Sequence, residues 1–417
     1  MNERAALALW GWAMRLAAPL LLARWWWRGR VEPGYREAMG ERLGLYRQPA
    51  AAPGWVWLHA VSLGETRAAA PLIDQLRQRQ PGLRLLLTHT TATGRAAGRA
   101  LLREGDAQTW LPIDTPGAVR RFYAHWQPRL GLLMETEVWP SLMAGAAAPP
   151  IYLLNARLSE RSLRKGLRVP ALLGASARRL RAALAQTADD AARLRQMGVA
   201  EVSVCGNLKY DLTPDAALLA QAERWRARLG GRPLVLAAST REGEEAQLLA
   251  AWQALPEPRP RLLIVPRHPQ RFDAVAALMP GVARRSSWSA EGPDAKALAA
   301  AFWLGDSMRE MPLYFALADL ALLGGSFAPL GGQNLIEAAA CGCPLLMGPS
   351  TFNFAEAATL SESAGAAQRV GSAAEALQRA QTLLKDEAAL HAMRRAALGF
   401  ATQHRGAAAR MAERVLA

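Results

Sequence analysis

Lysine is nearly missing from this sequence. Its 417 residues hold only Lys165, Lys209, Lys296 and Lys385, although Lys and Arg together number 50. The formal net charge of +15 is therefore carried almost wholly by arginine. Such a charge suits nucleic acid, anionic lipid or phosphorylated substrates. No arginine-rich tail, RNP aromatics or zinc-finger spacing is present, which argues against nucleic acid. Cysteine is scarce as well: Cys205, Cys341 and Cys343. An odd count without framework spacing fits a reducing compartment. Cys341 and Cys343 are too close for an easy disulfide, lack partner ligands for zinc, and read as small buried residues. HExxH, Cys/His clusters and acidic pairs at metal spacing are missing, so no metal is expected. GxSxG is missing too, which leaves no nucleophile elbow. There is no short-period repeat.

Half of the residues are hydrophobic, enough for full cores, and the length suits two domains. One long apolar run stands out, Ala5 to Trp27, interrupted at Arg15 and Pro19. It approaches the ~20 residues of a bilayer span. Arg15 near its middle makes a tilted or interfacial helix a rival reading, and a buried core helix is a third. Trp25 to Trp27, beside Arg24, Arg28 and Arg30, have the look of an interfacial anchor. The basic side follows the segment, so the rest of the chain is expected on the cytoplasmic side. No cleavage site is evident, which favours an uncleaved anchor over residues 1–30.

Past the anchor the chain alternates strands and helices. Trp55 to Val61 reads as a strand, Ser62 to Glu65 as a loop, Thr66 to Arg79 as a helix and Leu83 to Thr88 as a strand. That is one βαβ unit, and it predicts a parallel sheet. Further strands are expected at 130–134, 151–154, 182–186 and 202–205. A boundary follows Gly206-Asn207-Leu208-Lys209-Tyr210-Asp211. The second half repeats the pattern, with strands at 234–238, 262–265, 302–304, 320–323 and 344–347. The expected class is α/β, with two doubly wound domains at 31–211 and 212–417 and a ligand cleft between them.

The stretch Leu322 to Pro349 is the most distinctive. A strand breaks on Gly324-Gly325, a second pair follows at Gly331-Gly332, and a helix starts at about Gln333. Strand, glycine loop and helix can present backbone N–H groups to a phosphate. The spacing matches neither GxGxxG nor the P-loop, so an ordinary strand–helix turn is equally compatible. Asn334 and Glu337, three apart, are expected on one helix face, placed to grip a ribose or base.

Several charged residues lie at strand ends. Glu65 opens a helix, where it suits the dipole or can act as a general base. Glu135 and Glu137 alternate across a strand end and are expected on opposite faces. A carboxylate pair is also what a retaining glycosidase uses, but no spacing in the chain sets their distance. Lys209 sits at the expected hinge, either as a surface lysine or as a charge with a task. Arg267-His268 follow a strand, suited to phosphate or carboxylate.

Taken together the motifs resemble those of the Kdo transferases of lipopolysaccharide synthesis (3-deoxy-D-manno-octulosonic acid transferases). The resemblance covers nearly the whole chain. It is carried by the N-terminal apolar segment, GERLGLYR (Gly40 to Arg47), HAVSLGE (His59 to Glu65), METEVWPSL (Met134 to Leu142) and LNARLSERS (Leu154 to Ser162). It continues through GNLKYD (Gly206 to Asp211), VPRHPQRF (Val265 to Phe272), GDSMREM and GGSFAPLGGQNLIE. The resemblance implies a GT-B fold, two Rossmann-like domains facing a cleft. It implies inverting, metal-independent transfer of Kdo from CMP-Kdo to the lipid A precursor, lipid IVA, at the inner membrane. Glu65 matches the general base. Glu135 and Lys209 match positions that stabilise the transition state. Pro266, Arg267, His268, Met308, Arg309, Glu310, Asn334, Leu335, Ile336 and Glu337 match the CMP site of the C-terminal domain.

The chain departs from the family pattern in three places. Arg309 stands where glycine is usual, Gln333 where histidine is usual and Ala338 where proline is usual. Two other readings are compatible with the residues. One is a different GT-B nucleotide-sugar transferase or epimerase. The other is a non-catalytic protein that binds anionic lipid through its arginines.

Overall fold

A computed structural model of the chain describes residues 2–47 and 50–417. They form two compact units. One comprises the residues up to Asp211 together with Arg405–Ala417; the other is Leu212–His404. The sequence had placed 405–417 with the second unit. Instead the helix Ala407–Leu416 packs on the helix Leu63–Arg79, and Met411 and Val415 enter a core of the first unit.

The first unit is built on seven parallel strands. They are β1 (Trp55–His59), β2 (Leu85–His89), β3 (Ala107–Trp110), β4 (Pro128–Met134), β5 (Ile151–Ala156), β6 (Ala182–Ala185) and β7 (Val202–Val204). Their spatial order is β3-β2-β1-β4-β5-β6-β7. All five residues of β1 are buried, as expected for a strand covered on both faces. Its alternate side chains feed different cores. Val56 and Leu58 join one, while Trp55 and Trp57 join the other with Phe122 and Trp126. Opposite Trp57, β4 carries Gly131; a Cβ there would stand 3.1 Å from the indole.

The second unit repeats the plan. Its strands are β8 (Leu234–Thr240), β9 (Arg261–Pro266), β10 (Ala283–Arg284), β11 (Phe302–Leu304), β12 (Leu320–Leu323), β13 (Leu345–Met347) and β14 (Ala367–Arg369). Their order is β10-β11-β9-β8-β12-β13-β14, again parallel. Strands β3, β10 and β14 were not read from the sequence. β3 is half polar and the other two span only two and three residues, too short for an apolar run to show. In each sheet the strand order reverses once, between β1 and β4 and between β8 and β12. Such switch points open crevices at the carboxyl ends of strands.

The N-terminal helix, Glu3–Arg28, is the one helix among the described residues long and apolar enough to cross a membrane. It is docked along the first unit. Trp10 Nε1 donates to Asp114 Oδ2 at 2.6 Å, and Glu3 pairs with Arg179. Gly11 lies against Pro116, so close that a Cβ would stand 3.1 Å away. Near the far end the buried Arg42 guanidinium stacks between Trp25 (4.0 Å) and Trp110 (3.7 Å). The other face is apolar and exposed, through Leu9, Trp12, Leu16, Leu20 and Trp27.

Candidate active site

Each switch point holds a cluster of polar residues. In the first unit the strand β1 ends at His59, and the helix Leu63–Arg79 begins three residues earlier than the sequence suggested. Glu65 therefore lies in the first helical turn. Ser62 is the N-cap; its Oγ accepts the Glu65 N–H and donates to Glu65 Oε1 at 3.1 Å. The other oxygen, Oε2, accepts the Val61 N–H at 2.9 Å. This reciprocal arrangement is a capping box shifted by one residue, and it fixes the carboxyl group by both oxygens. Burial raises the Glu65 carboxyl above its ordinary value. The Val61 N–H opposes the shift, the nearby Glu135 charge adds to it, and the His59 ring and Ser62 hydroxyl oppose it. A carboxyl group so placed is the type used as a base near neutral pH.

Glu135 follows β4 directly. Its φ of 56° is left-handed, a conformation that costs a residue with a Cβ and recurs at functional sites. The expected alternation of Glu135 and Glu137 fails here, because the strand stops at Met134. Glu135 is near enough to Glu65 to raise it. Glu137 reaches His59: its Oε2 stands 3.7 Å from Nε2 and accepts the Trp139 indole N–H at 2.8 Å. Both carboxyl groups thus serve the same edge.

Lys209 lies in the turn Leu208–Asp211, which packs against the helix carrying Glu65. The ends of three strands hold that turn. Asn155, after a left-handed φ of 50°, accepts the Leu208 N–H through Oδ1 at 3.0 Å. Gln186 donates to the Asn155 carbonyl and accepts from Asn207 Nδ2. Asn207 Oδ1 accepts the Lys209 N–H at 3.0 Å. Asn155, Gln186, Asn207 and His59 were not singled out in the sequence, since lone amides and histidines carry no spacing signature.

In the second unit the glycine stretch differs from the phosphate cradle that was one of its two readings. The N–H groups of its two glycine pairs are already used. Gly324 donates to the Ala238 carbonyl, Gly325 to Glu244 Oε2 at 2.7 Å, Gly331 to Ser350 Oγ and Gly332 to the Gly325 carbonyl. Glycine is required for other reasons. A Cβ on Gly324 would stand 2.4 Å from the Ser239 carbonyl oxygen, and Gly325, Gly331 and Gly332 have positive φ. Glu244 organises the loop: buried at the start of the helix Glu244–Gln253, it also accepts from Phe327 and Arg241 backbone N–H groups. The helix after the loop is Leu335–Ala340, with Asn334 as its N-cap, whose Oδ1 accepts the Ile336 N–H at 3.2 Å. Asn334 thus precedes the helix in an extended conformation, and does not share a helix face with Glu337 as expected. Leu335 and Ile336 are core residues.

Cationic groups gather instead after β8 and β9. Pro266 ends β9, and the exposed Arg267 and His268 follow, with the Arg267 N–H on the Thr240 carbonyl. Burial and then the charges of Arg241, Arg267 and Arg271 push the His268 ring below its ordinary value. Arg271 is itself held by Glu245, through two bonds of 2.7 and 2.8 Å. After β11, Met308 and Arg309 are exposed on a turn anchored by Glu310, which accepts from Arg285 at 2.9 Å. Arg309 has a φ of 68°, which explains why glycine suits that position in the resembled pattern. Arg241, Glu244, Glu245 and Arg271 carry no motif spacing that singles them out in the sequence.

Comparison with known proteins identifies relatives of the chain. A family model described as 3-deoxy-D-manno-octulosonic-acid transferase matches residues 37–212. The 3-deoxy-D-manno-octulosonic acid transferase of Bordetella pertussis is 47% identical, over 95% of this chain and 96% of its own. That of Haemophilus influenzae is 33% identical, over 91% of each. Among solved structures, Anabaena HepE in complex with UDP has a TM-score of 0.57 at 15% identity, covering 87% of this chain and 99% of that one. That likeness concerns the fold alone, two Rossmann-like units of the GT-B type. Identity sustained along almost the whole length of both relatives shows that the chain belongs to the Kdo transferase family of glycosyltransferases.

Proposed function

We propose that the chain transfers Kdo from CMP-Kdo to the lipid A precursor, lipid IVA, with inversion at the anomeric carbon and without a metal. The observation that carries this reading is the Glu65 carboxyl, gripped by Ser62 and Val61 and raised by burial beside Glu135. Glu65 takes the proton of an acceptor hydroxyl. The freed oxygen attacks the anomeric carbon of Kdo, and the bond to the CMP phosphate breaks. Glu135 faces the positive charge that develops on the sugar, and Lys209 the negative charge on the leaving phosphate. CMP lies on the second unit, against Pro266, Arg267, His268, Met308, Arg309, Glu310 and the Asn334–Glu337 turn. Arg241 and Arg271 join this set, because their charges surround His268.

The acceptor is a phosphorylated glycolipid, and the N-terminal helix supports that choice. It is held against the first unit near both ends, so it lies along the membrane surface, on the cytoplasmic side of the inner membrane, rather than crossing it. Arg30 and Arg36 lie over the exposed Trp27 and Trp26 rings, at 4.0 and 4.5 Å. Such aromatic–cationic pairs suit an anionic lipid surface.

Mass spectrometry of the product tests the reading, with lipid IVA and CMP-Kdo formed beforehand, and EDTA added before the transferase. Wild type is expected to add one or more Kdo units, and Glu65→Gln to be slower by about 10²-fold or more. A Glu65→Gln variant as active as wild type would remove Glu65 as the base. A need for added metal would remove the metal-independent mechanism.

A further inference from the structure

The helix Pro140–Ala144 opens without a cap of its own. Trp139 is its N-cap residue and makes no side-chain cap bond. The first N–H groups of a helix have no partner inside it. Here a residue from well back in the chain takes that part. Asp114 is buried in the loop between β3 and the helix Pro116–Trp126. Its Oδ2 accepts the Ser141 N–H at 2.9 Å, and its Oδ1 accepts the Leu142 N–H at 2.8 Å. These are the second and third N–H groups of the helix, the ones a capping side chain takes. Ser141 Oγ closes the contact by donating to the Asp114 carbonyl at 2.8 Å. Oδ2 has a second donor, the Trp10 indole N–H at 2.6 Å. Trp10 belongs to the N-terminal helix, which itself packs on Pro140–Ala144. One carboxyl group therefore ties the N-terminal helix to the start of the helix Pro140–Ala144.

Residues 135–139, which join β4 to that helix, carry Glu135 and Glu137. The upstream end of this loop is held by β5 and the residue after it. The Glu135 N–H is on the Leu154 carbonyl at 2.9 Å, and the Glu135 carbonyl accepts the Arg157 N–H at 3.3 Å. The downstream end is held by Asp114. Between the two, the Glu137 side chain is set by the Trp139 indole, one residue before the capped turn. The left-handed backbone at Glu135 persists only where its surroundings enforce it. Groups that act on a substrate need such support, because a shift of about 1 Å costs a large part of the rate.

We propose that Trp10 and Asp114 are positioning residues for transfer: through the cap on Pro140–Ala144 they hold the loop that carries Glu135 and Glu137. The N-terminal helix then serves the reaction as well as the lipid surface. Neither residue touches a reacting atom in this scheme. The inference rests on Glu135 as a residue of the active site.

Transfer kinetics and NMR test it. Tryptophan is a donor only, so Trp10→Phe keeps an aromatic ring and removes the bond. With the acceptor in nonionic detergent micelles, recruitment to a bilayer plays no part. There kcat/KM for lipid IVA is expected to fall by about fivefold. The same fall is expected on vesicles, with CMP bound as tightly as in wild type, since the proposed CMP residues belong to the second unit. The Trp139 indole resonance of nitrogen-labelled full-length protein, assigned by its loss in Trp139→Phe, is expected to shift in Trp10→Phe. A bond that served stability alone would lower the melting temperature and leave both readouts unmoved below the melt. An unchanged kcat/KM in micelles, a loss confined to vesicles, an equal loss of CMP binding or an unmoved resonance overturns the proposal. Ser141→Ala replaces Trp10→Phe if that variant does not fold. It removes only the hydroxyl on the Asp114 carbonyl, and the same outcomes decide. If Glu135→Gln transfers as fast as wild type, the active-site reading of the loop fails, while the Trp139 shift in Trp10→Phe still decides the linkage.

Discussion

Glu65 is asked both to fold well and to take a proton, and the two demands conflict. Burial raises its carboxyl, so the folded protein holds the proton more tightly than the unfolded chain does. A raised group contributes its stability below the unfolded value and loses it as pH rises through the folded value. Glu65→Gln should therefore match wild type in melting temperature near about pH 4, and exceed it by about 2 °C at neutral pH. Calorimetry at the two pH values decides. Arg309 pays a different local cost. Its left-handed backbone strains a side chain that nothing in the fold buries. Arg309→Gly should stabilise the protein by about 1 kcal/mol, read as a rise in melting temperature. Glu244 is buried and accepts three backbone N–H groups. Glu244→Gln turns an amide donor toward those donors. It should cost about 2 kcal/mol and weaken CMP binding, measured by denaturation and by calorimetric titration.

At the scale of elements, the N-terminal helix has two separable faces. Removing residues 1–30 would take Trp10 from Asp114 and Trp25 from the buried Arg42. Loss of membrane binding would then be mixed with damage to the first unit. Leu16→Glu with Leu20→Glu alters only the outer face, where these side chains are 75% and 74% exposed. The double variant should leave membranes in sedimentation while its melting temperature shifts by no more than about 1 °C, since exposed substitutions cost little. Retention on vesicles at wild-type levels would remove this face from the membrane contact. The glycine loop is equally specific. A Cβ at Gly324 would meet two backbone oxygens within 2.5 Å. Backbone yields less than a side chain does, so Gly324→Ala should destabilise by about 1–3 kcal/mol, seen in thermal melts.

At the scale of the whole molecule, the chain returns to its first unit after completing its second. The carboxylate of Asp211 accepts the Gly406 and Ala408 N–H groups at the start of the last helix. Asp211→Ala should cost about 1–2 kcal/mol, as the loss of a helix cap does. Much else was legible in the sequence. Apolar runs such as Trp55–His59 and Leu320–Leu323 revealed the parallel sheets, because a strand covered on both faces must be apolar throughout. Ordered motifs such as HAVSLGE and METEVWPSL revealed the family. The site was legible only in part. Glu65, Glu135 and Lys209 were visible as charges at strand ends, but His59, Glu244 and Arg271 had no pattern of their own to single them out. Sequence alone determined the α/β class, the two-unit plan and the identity of the charged groups, since these follow from local periodicity and residue chemistry. Only the tertiary structure decided which carboxyl group faces the buried histidine, where the glycine N–H groups are spent and which unit holds the last helix. Each of those depends on contacts between residues far apart in the chain, and no local pattern records them.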